Sequence, residues 1–296
     1  MSPELKLPVG RSQSPLIAAA ALLAAMVSLQ VGASFAKGLF PVVGAEGATV
    51  LRLGLAAVLL VVVMRPWRVR FDAVDWRWLV AYGLAMGGMN LLFYMAIATL
   101  PLGIAVALMF AGPLAVALLS SRRLVDFLWV GLAVGGLVLL LPIFKGGAAA
   151  DPKGLALALG AGGCWALYIF TGKRAGRQHG PQAAAVGMAI AACAVLPIGA
   201  GAALSAPSAG LLLTALLVAI LSSAVPFTLE MLALKRLPTA TFSTLTSMEP
   251  AVAALVGLLA LGEQLSVTQW LAIGAIIGAS IGTTMTVRPA ASALPD

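Results

Sequence analysis

The chain has 296 residues, 61% of them hydrophobic and 9% charged, with a mean hydropathy of +1.07. A soluble domain averages about 45–50% apolar and roughly 25% charged residues, and 18 basic plus 10 acidic side chains cannot make a polar shell for a chain this long. Glycine has no three-residue period and there are two cysteines, so collagen and disulfide scaffolds are excluded. What remains is an all-α, multi-pass membrane protein with the lipid bilayer as its solvent. A net charge of +8 would point to nucleic acid in a soluble chain, so the placement of the charges has to decide.

About 20 apolar residues cross a bilayer core as a helix. Such runs occur near 15–36, 42–64, 77–98, 101–121, 126–144, 153–172, 182–203, 209–234, 238–261 and 266–287. The expectation is therefore ten transmembrane helices joined by short loops, with tails at 1–14 and 288–296. Lys6 and Arg11 precede the first run, but that run exceeds the roughly 7–15 residues of a signal-peptide core. It is expected to be a retained helix.

With loops numbered alternately, fourteen basic residues fall on the side of the N-terminus, among them Arg65, Arg68, Arg70, Arg77, Arg122, Arg123, Lys173 and Arg174. The other side receives only Lys37, Lys145 and Lys153, and Arg52 lies within a span. Positive charge stays cytoplasmic, so both termini are expected inside a bacterial inner membrane. The basicity is topological and implies no nucleic-acid partner. Cys164 and Cys193 fall within spans as small packing residues, and His179 stands in a loop without a second ligand. No metal and no cofactor are implied.

The two halves resemble each other. Leu100-Pro101 followed by Pro113 recurs as Leu237-Pro238 followed by Pro250, and Trp129 corresponds to Trp270. Five spans per half is an odd number, so the repeats 15–144 and 153–287, joined by a linker at 145–152, are expected to be inverted. Inverted repeats are a feature of secondary transporters. Pro113, Pro226 and Pro250 lie inside spans and are expected to kink them. The glycines of 83–88 and 160–163 are expected to let helices approach closely.

Ionisable groups inside a bilayer are costly, about 2.5–3.5 kcal/mol at the centre on insertion scales, and so are functional candidates. Arg52 and Glu249 lie near mid-span, Glu230 about a turn from the end of span eight, and Glu46 near the outer end of span two. Arg52 and Glu249 either form a structural ion pair, or Arg52 grips a substrate carboxylate while a nearby Glu takes the ammonium. Glu46 and Glu230 lack an evident cationic partner, which favours them as proton carriers. Glu263 and Asp126 sit at helix ends and read as boundary residues in contact with water. Uncharged candidates for the lining of a small polar site are Gln30, Ser34, Asn90, Tyr94, Trp165, Tyr168 and Thr246. Asn90 and Tyr94 share a helix face by their spacing, as do Trp165 and Tyr168.

The stretch from Gly262-Glu263 to Trp270, followed by a Gly/Ala-rich helix, resembles the ending of an EamA repeat. Two such repeats are typical of the drug/metabolite transporter superfamily. Gly32 to Lys37, Gly87 to Tyr94, Pro101 to Leu108, Ser120 to Arg123 and Met248 to Ala251 together resemble the bacterial threonine/homoserine exporter family. The resemblance implies efflux of small neutral amino acids by alternating access, driven by the proton gradient as antiport, and makes Glu249 a candidate for both substrate and proton. The family pattern often has a Glu where this chain has Met109, just before Gly112-Pro113. Methionine carries no proton, so here Met109 is a lining candidate and coupling falls to another carboxylate, or the substrate range differs. The alternatives are transport of another small metabolite or drug, a passive channel, and an integral-membrane enzyme. The single His and the short Arg-dominated loops argue against an enzyme.

Overall fold

A computed structural model describes residues 15–119, 124–140, 151–175, 180–205, 208–234, 237 and 239–286. The expected tails at 1–14 and 288–296, most of the linker at 145–152, and His179 lie outside the described residues. All regular structure among the described residues is helical. The first helix, α1 (Pro15–Met64), runs 50 residues with a break at Gly44, where φ is 66° and ψ 172°. The expected interruption at 37–41 is displaced to this glycine. Pro41 removes one hydrogen bond without ending the helix, whereas a positive φ costs any residue with a Cβ and is free for Gly44.

A single 3-10 turn (Pro66–Arg68) leads to α2 (Ala73–Ile97). Asp72 opens α2 with a reciprocal cap: its carboxylate accepts the Asp75 N–H at 2.7 Å, and the Asp75 carboxylate accepts the Asp72 N–H. The expected fourth span is two helices, α3 (Leu102–Met109) and α4 (Ala111–Leu119). Next come α5 (Leu124–Leu140), α6 (Pro152–Ala175) and α7 (Gly180–Ala203). The eighth expected span is α8 (Ala209–Ala219), a π-helical segment (Ile220–Ala224) and α9 (Val225–Leu234). The ninth is again split, into α10 (Thr239–Thr246) and α11 (Glu249–Leu261), before α12 (Val267–Thr286).

Among the described residues, four stretches, Leu16–Arg68, Asp75–Ile97, Pro152–Ala175 and Pro181–Ala203, are long and apolar enough to cross a membrane, and shorter apolar helices accompany them. Val58, Leu213, Leu259 and Leu271 are each more than half exposed. Apolar side chains turned outward around the molecule suit a hydrocarbon solvent, not water.

The first segment of α1 packs on α8, the π segment and α9; its second segment packs on α7. The helix α2 lies on α6 and α7, α3 on α11, and α5 on α12. Glycine makes several of these crossings possible. A Cβ on Gly112 would collide with the Gly162 carbonyl, so α4 and α6 meet backbone to backbone. A Cβ on Gly103 would lie 2.6 Å from the Ala254 Cα, which puts α3 equally close to α11. Gly83 and Gly87 bring α2 against α7 in the same way. Without a hydrophobic drive between helices in lipid, such close van der Waals contact is what holds them.

Candidate functional site

Pro113, Pro226 and Pro250 share one consequence. A proline has no N–H for the carbonyl four residues back. For Pro113 that carbonyl is on Met109, where α3 ends; for Pro250 it is on Thr246, where α10 ends. For Pro226 it is on Ser222, inside the π segment. Met109, Ser222 and Thr246 all line the same internal cavity. The Ser222 carbonyl, freed from its helix, accepts a hydrogen bond from Arg52 Nη2 at 3.3 Å.

The cavity holds about 270 Å³. That is just below the roughly 300–1,000 Å³ of pockets for drug-sized ligands, so its size suits a small solute. A second space of about 190 Å³ adjoins it and shares Arg52, Asn90, Tyr168, Ser222 and Glu230 with it.

Arg52 is 7% exposed. Its Nη1 donates to Asn90 Oδ1 at 2.6 Å, and Asn90 is itself held by donating Nδ2 to the Met86 carbonyl at 2.8 Å. The guanidinium carbon lies 5.2 Å from the centre of the Tyr94 ring, within cation–π range. Arg52 Nε has no partner. The only ion pair among the described residues joins Lys37 to Glu263, so Arg52 is a buried cation without a counter-ion. Of the two alternatives for Arg52 and Glu249, the ion pair is absent: Glu249, at the first turn of α11, instead accepts Gln30 Nε2 at 3.1 Å.

Of the other expected lining residues, Gln30, Asn90, Tyr94, Met109, Trp165, Tyr168 and Thr246 face this cavity together with Arg52 and Glu249. Trp165 packs edge-on against Phe110, and Tyr168 stacks on Tyr82 with ring centroids 4.9 Å apart. Ser34 does not reach the cavity, because its hydroxyl turns back to the Val31 carbonyl at 2.8 Å. Of the proton-carrying candidates, Glu230 lines both spaces, whereas Glu46 sits beside the Gly44 break and lines neither. Pro226 borders the second space; Pro113 and Pro250 act through the carbonyls they free. Sequence reasoning missed Met26, Met89, Phe93, Phe242 and Ser222, which line the wall together with Leu22, Leu29, Ala33 and Val106.

Residues 152–285 match the EamA-like transporter family. Over 271 residues the chain is 57% identical to the threonine/homoserine exporter RhtA of Escherichia coli K12, covering 90% of this chain and 91% of that protein. It is 58% identical to the RhtA of Salmonella typhimurium LT2 over the same shares of the two chains. Both relatives are named as exporters, not enzymes. A crystal structure 19% identical in sequence superposes with a TM-score of 0.63, covering 96% of this chain and 99% of the other. At that identity the likeness is one of fold alone.

Proposed function

We propose that this chain, which belongs to the EamA-like transporter family, exports threonine, homoserine and similar small neutral amino acids. The observation that carries this reading is Arg52, a buried cation without a counter-ion on the wall of a cavity that also holds the carboxyl groups of Glu249 and Glu230. Charges of both signs that share a cavity without pairing match a zwitterion. The unused N–H groups of Arg52 take the substrate carboxylate, for which a guanidinium is geometrically suited. Glu249 takes the ammonium, and the apolar wall of Met26, Met89 and Phe93 takes the short side chain.

The architecture we infer is ten spans in two inverted five-helix repeats, 15–144 and 153–287. The packing pairs support it. Exchanging the halves turns the contact of α2 with α6 into that of α1 with α8 and α9, turns that of α4 with α6 into that of α1 with α11, and leaves the pairs α1–α7 and α5–α12 unchanged. Charge asymmetry supports cytoplasmic termini in a bacterial inner membrane. From Leu22 to Ala33 the cavity follows α1 for about 16 Å, toward the helix end we take as cytoplasmic. One turn beyond Ala33 stands Lys37, bonded to Glu263, which supports reading the opposite, periplasmic side as the closed one.

Coupling is by proton antiport: a periplasmic proton reaches Glu230 or Glu249, favours the inward-facing state, and leaves inside as the amino acid is carried out. Met109 takes no part in that step. Proteoliposomes loaded with unlabelled solute test this by counterflow of threonine, homoserine and unrelated metabolites, with and without a pH gradient. Threonine and homoserine should exchange, and uphill export should need the gradient. Preferential exchange of an unrelated solute would replace the substrate class; undiminished uphill export without a gradient would remove the antiport. Glu230→Gln should keep substrate exchange but lose acceleration by the gradient if Glu230 carries the proton.

A further inference from the structure

Gln30 lies in the first segment of α1, is 2% exposed, and faces the cavity. Its Nε2 donates to Glu249 Oε1 at 3.1 Å. When Glu249 is ionised, the state in which it takes an ammonium, its carboxylate only accepts hydrogen bonds, so this contact then fixes the amide with its nitrogen on Glu249 and its oxygen turned away. That oxygen, Gln30 Oε1, is buried and has no hydrogen-bond partner. Buried acceptors left empty are rare and unfavourable in native structures. Of the donors on the same cavity, three are committed elsewhere, while Tyr94 Oη and Arg52 Nε are, like Gln30 Oε1, buried without a partner among the described residues. Thr246 Oγ1 donates to the Phe242 carbonyl at 2.9 Å, Ser222 Oγ to Val218 at 2.7 Å, and Asn90 Nδ2 to Met86 at 2.8 Å.

We propose that Gln30 Oε1 accepts the side-chain hydroxyl of the substrate and is the residue that selects hydroxylated amino acids. The inference rests on the reading of this cavity as an amino-acid site. With the ammonium on Glu249, the hydroxyl carbon is one bond from the α-carbon in threonine and two in homoserine. An acceptor bonded to Glu249 through the same amide is therefore placed for either one. The selection is negative as well as positive: a ligand with a methyl there strands the acceptor without water or donor, which a purely apolar pocket cannot do.

Threonine and homoserine share one deoxy analogue, 2-aminobutyrate, and valine replaces the threonine hydroxyl with a methyl. Inhibition of labelled-threonine counterflow by all four, in proteoliposomes of the full chain, reads the selection directly. The wild type should need roughly tenfold more 2-aminobutyrate or valine than threonine or homoserine, about the worth of one good hydrogen bond. Gln30→Met, of similar volume, should shrink that gap to about two- to threefold, chiefly by weakening threonine and homoserine. Equal inhibition of the wild type by 2-aminobutyrate and threonine would overturn the proposal, and needs no variant to fold. So would a tenfold gap retained in Gln30→Met, with amino-acid export still standing. A wild type that exchanges no amino acid would overturn the reading of the site itself.

Discussion

The Lys37 ammonium and the Glu263 carboxylate meet at 2.6 Å, although 226 residues separate them in sequence. Glu263 uses its second oxygen to accept the Leu102 N–H at 2.7 Å, the first backbone donor of α3. One carboxylate thereby ties together α1, the start of α3 and the connection from α11 to α12. The side chain is only 14% exposed, against the expectation of a residue open to water. A Cβ on Gly257 would collide with this carboxylate, so the glycine makes its place.

Loss of Glu263 should therefore cost more than loss of Lys37. A hydrogen bond to a charged group contributes about 1.5–3 kcal/mol. Lys37→Ala removes the ion pair and a long hydrogen bond to the Leu100 carbonyl at 3.4 Å, whereas Glu263→Ala removes the ion pair and leaves the Leu102 N–H without its 2.7 Å acceptor. Thermal unfolding in detergent should show a lower Tm for both variants and the larger drop for Glu263→Ala. Equal drops would mean that the Leu102 contact contributes no more than the long Leu100 one.

Asn90 holds Arg52 without neutralising it, and Asn90→Asp would change that with little change in shape. The new carboxylate would stand where Asn90 Oδ1 now lies, 2.6 Å from Arg52 Nη1, as a permanent counter-ion. Substrate affinity should fall about tenfold or more, while Tm holds or rises. Threonine binding at wild-type strength in Asn90→Asp would show that Arg52 does not receive the carboxylate.

Gly112→Ala and Gly274→Ala make a controlled pair of one-methyl additions. At Gly112 the methyl meets the Gly162 carbonyl, while at Gly274 nothing lies within 4 Å. The first should cost about 1–3 kcal/mol as overpacking; the second should be neutral or stabilise α12 by up to about 1 kcal/mol. Unfolding in one detergent compares them, and similar effects would contradict the α4–α6 contact.

Asp151 opens α6 by accepting the backbone N–H groups of Lys153 at 3.1 Å and Gly154 at 3.2 Å. The Lys153 N–H contributes most to holding its carboxyl below the ordinary carboxylate range. A lowered folded-state pKa adds stability above the unfolded value of about 4. That stability is lost as pH falls through the folded value. Amide exchange at Lys153 and Gly154, corrected for intrinsic rates, should lose protection below about pH 4 in the wild type and be pH-independent in Asp151→Asn.

Much of the site could be read from residues that are conspicuous in an apolar helix. Arg52, Asn90, Gln30 and Glu249 stand out because burying them is costly, and the structure gathers them on one cavity. Met26, Met89, Phe93 and Phe242 carry no such signal, since an apolar residue facing a cavity reads like one facing lipid. Ser222 contributes its carbonyl, which only the distance to Pro226 could have suggested. The prolines did announce the kinks, but each helix gives way before its proline, at the i−4 residue whose donor is lost. Lys37 and Glu263 looked like separate boundary residues, because a contact across the whole chain leaves no local pattern. The Arg52–Glu249 pair failed for the opposite reason: two opposite charges at similar depth invite pairing, but Asn90 and Gln30 each claim one of them.

The most direct measurement compares threonine with threoninamide as ligands of the wild type and of Arg52→Gln. The amide keeps the ammonium and the hydroxyl but lacks the negative charge that Arg52 is held ready to receive. The wild type should bind threonine about a hundredfold or more over the amide, the worth of about two charge-assisted hydrogen bonds, and Arg52→Gln should bind the two alike. A wild type indifferent to the carboxylate, or an Arg52→Gln variant that still prefers threonine by the same factor, would contradict the assignment of this cavity as an amino-acid site.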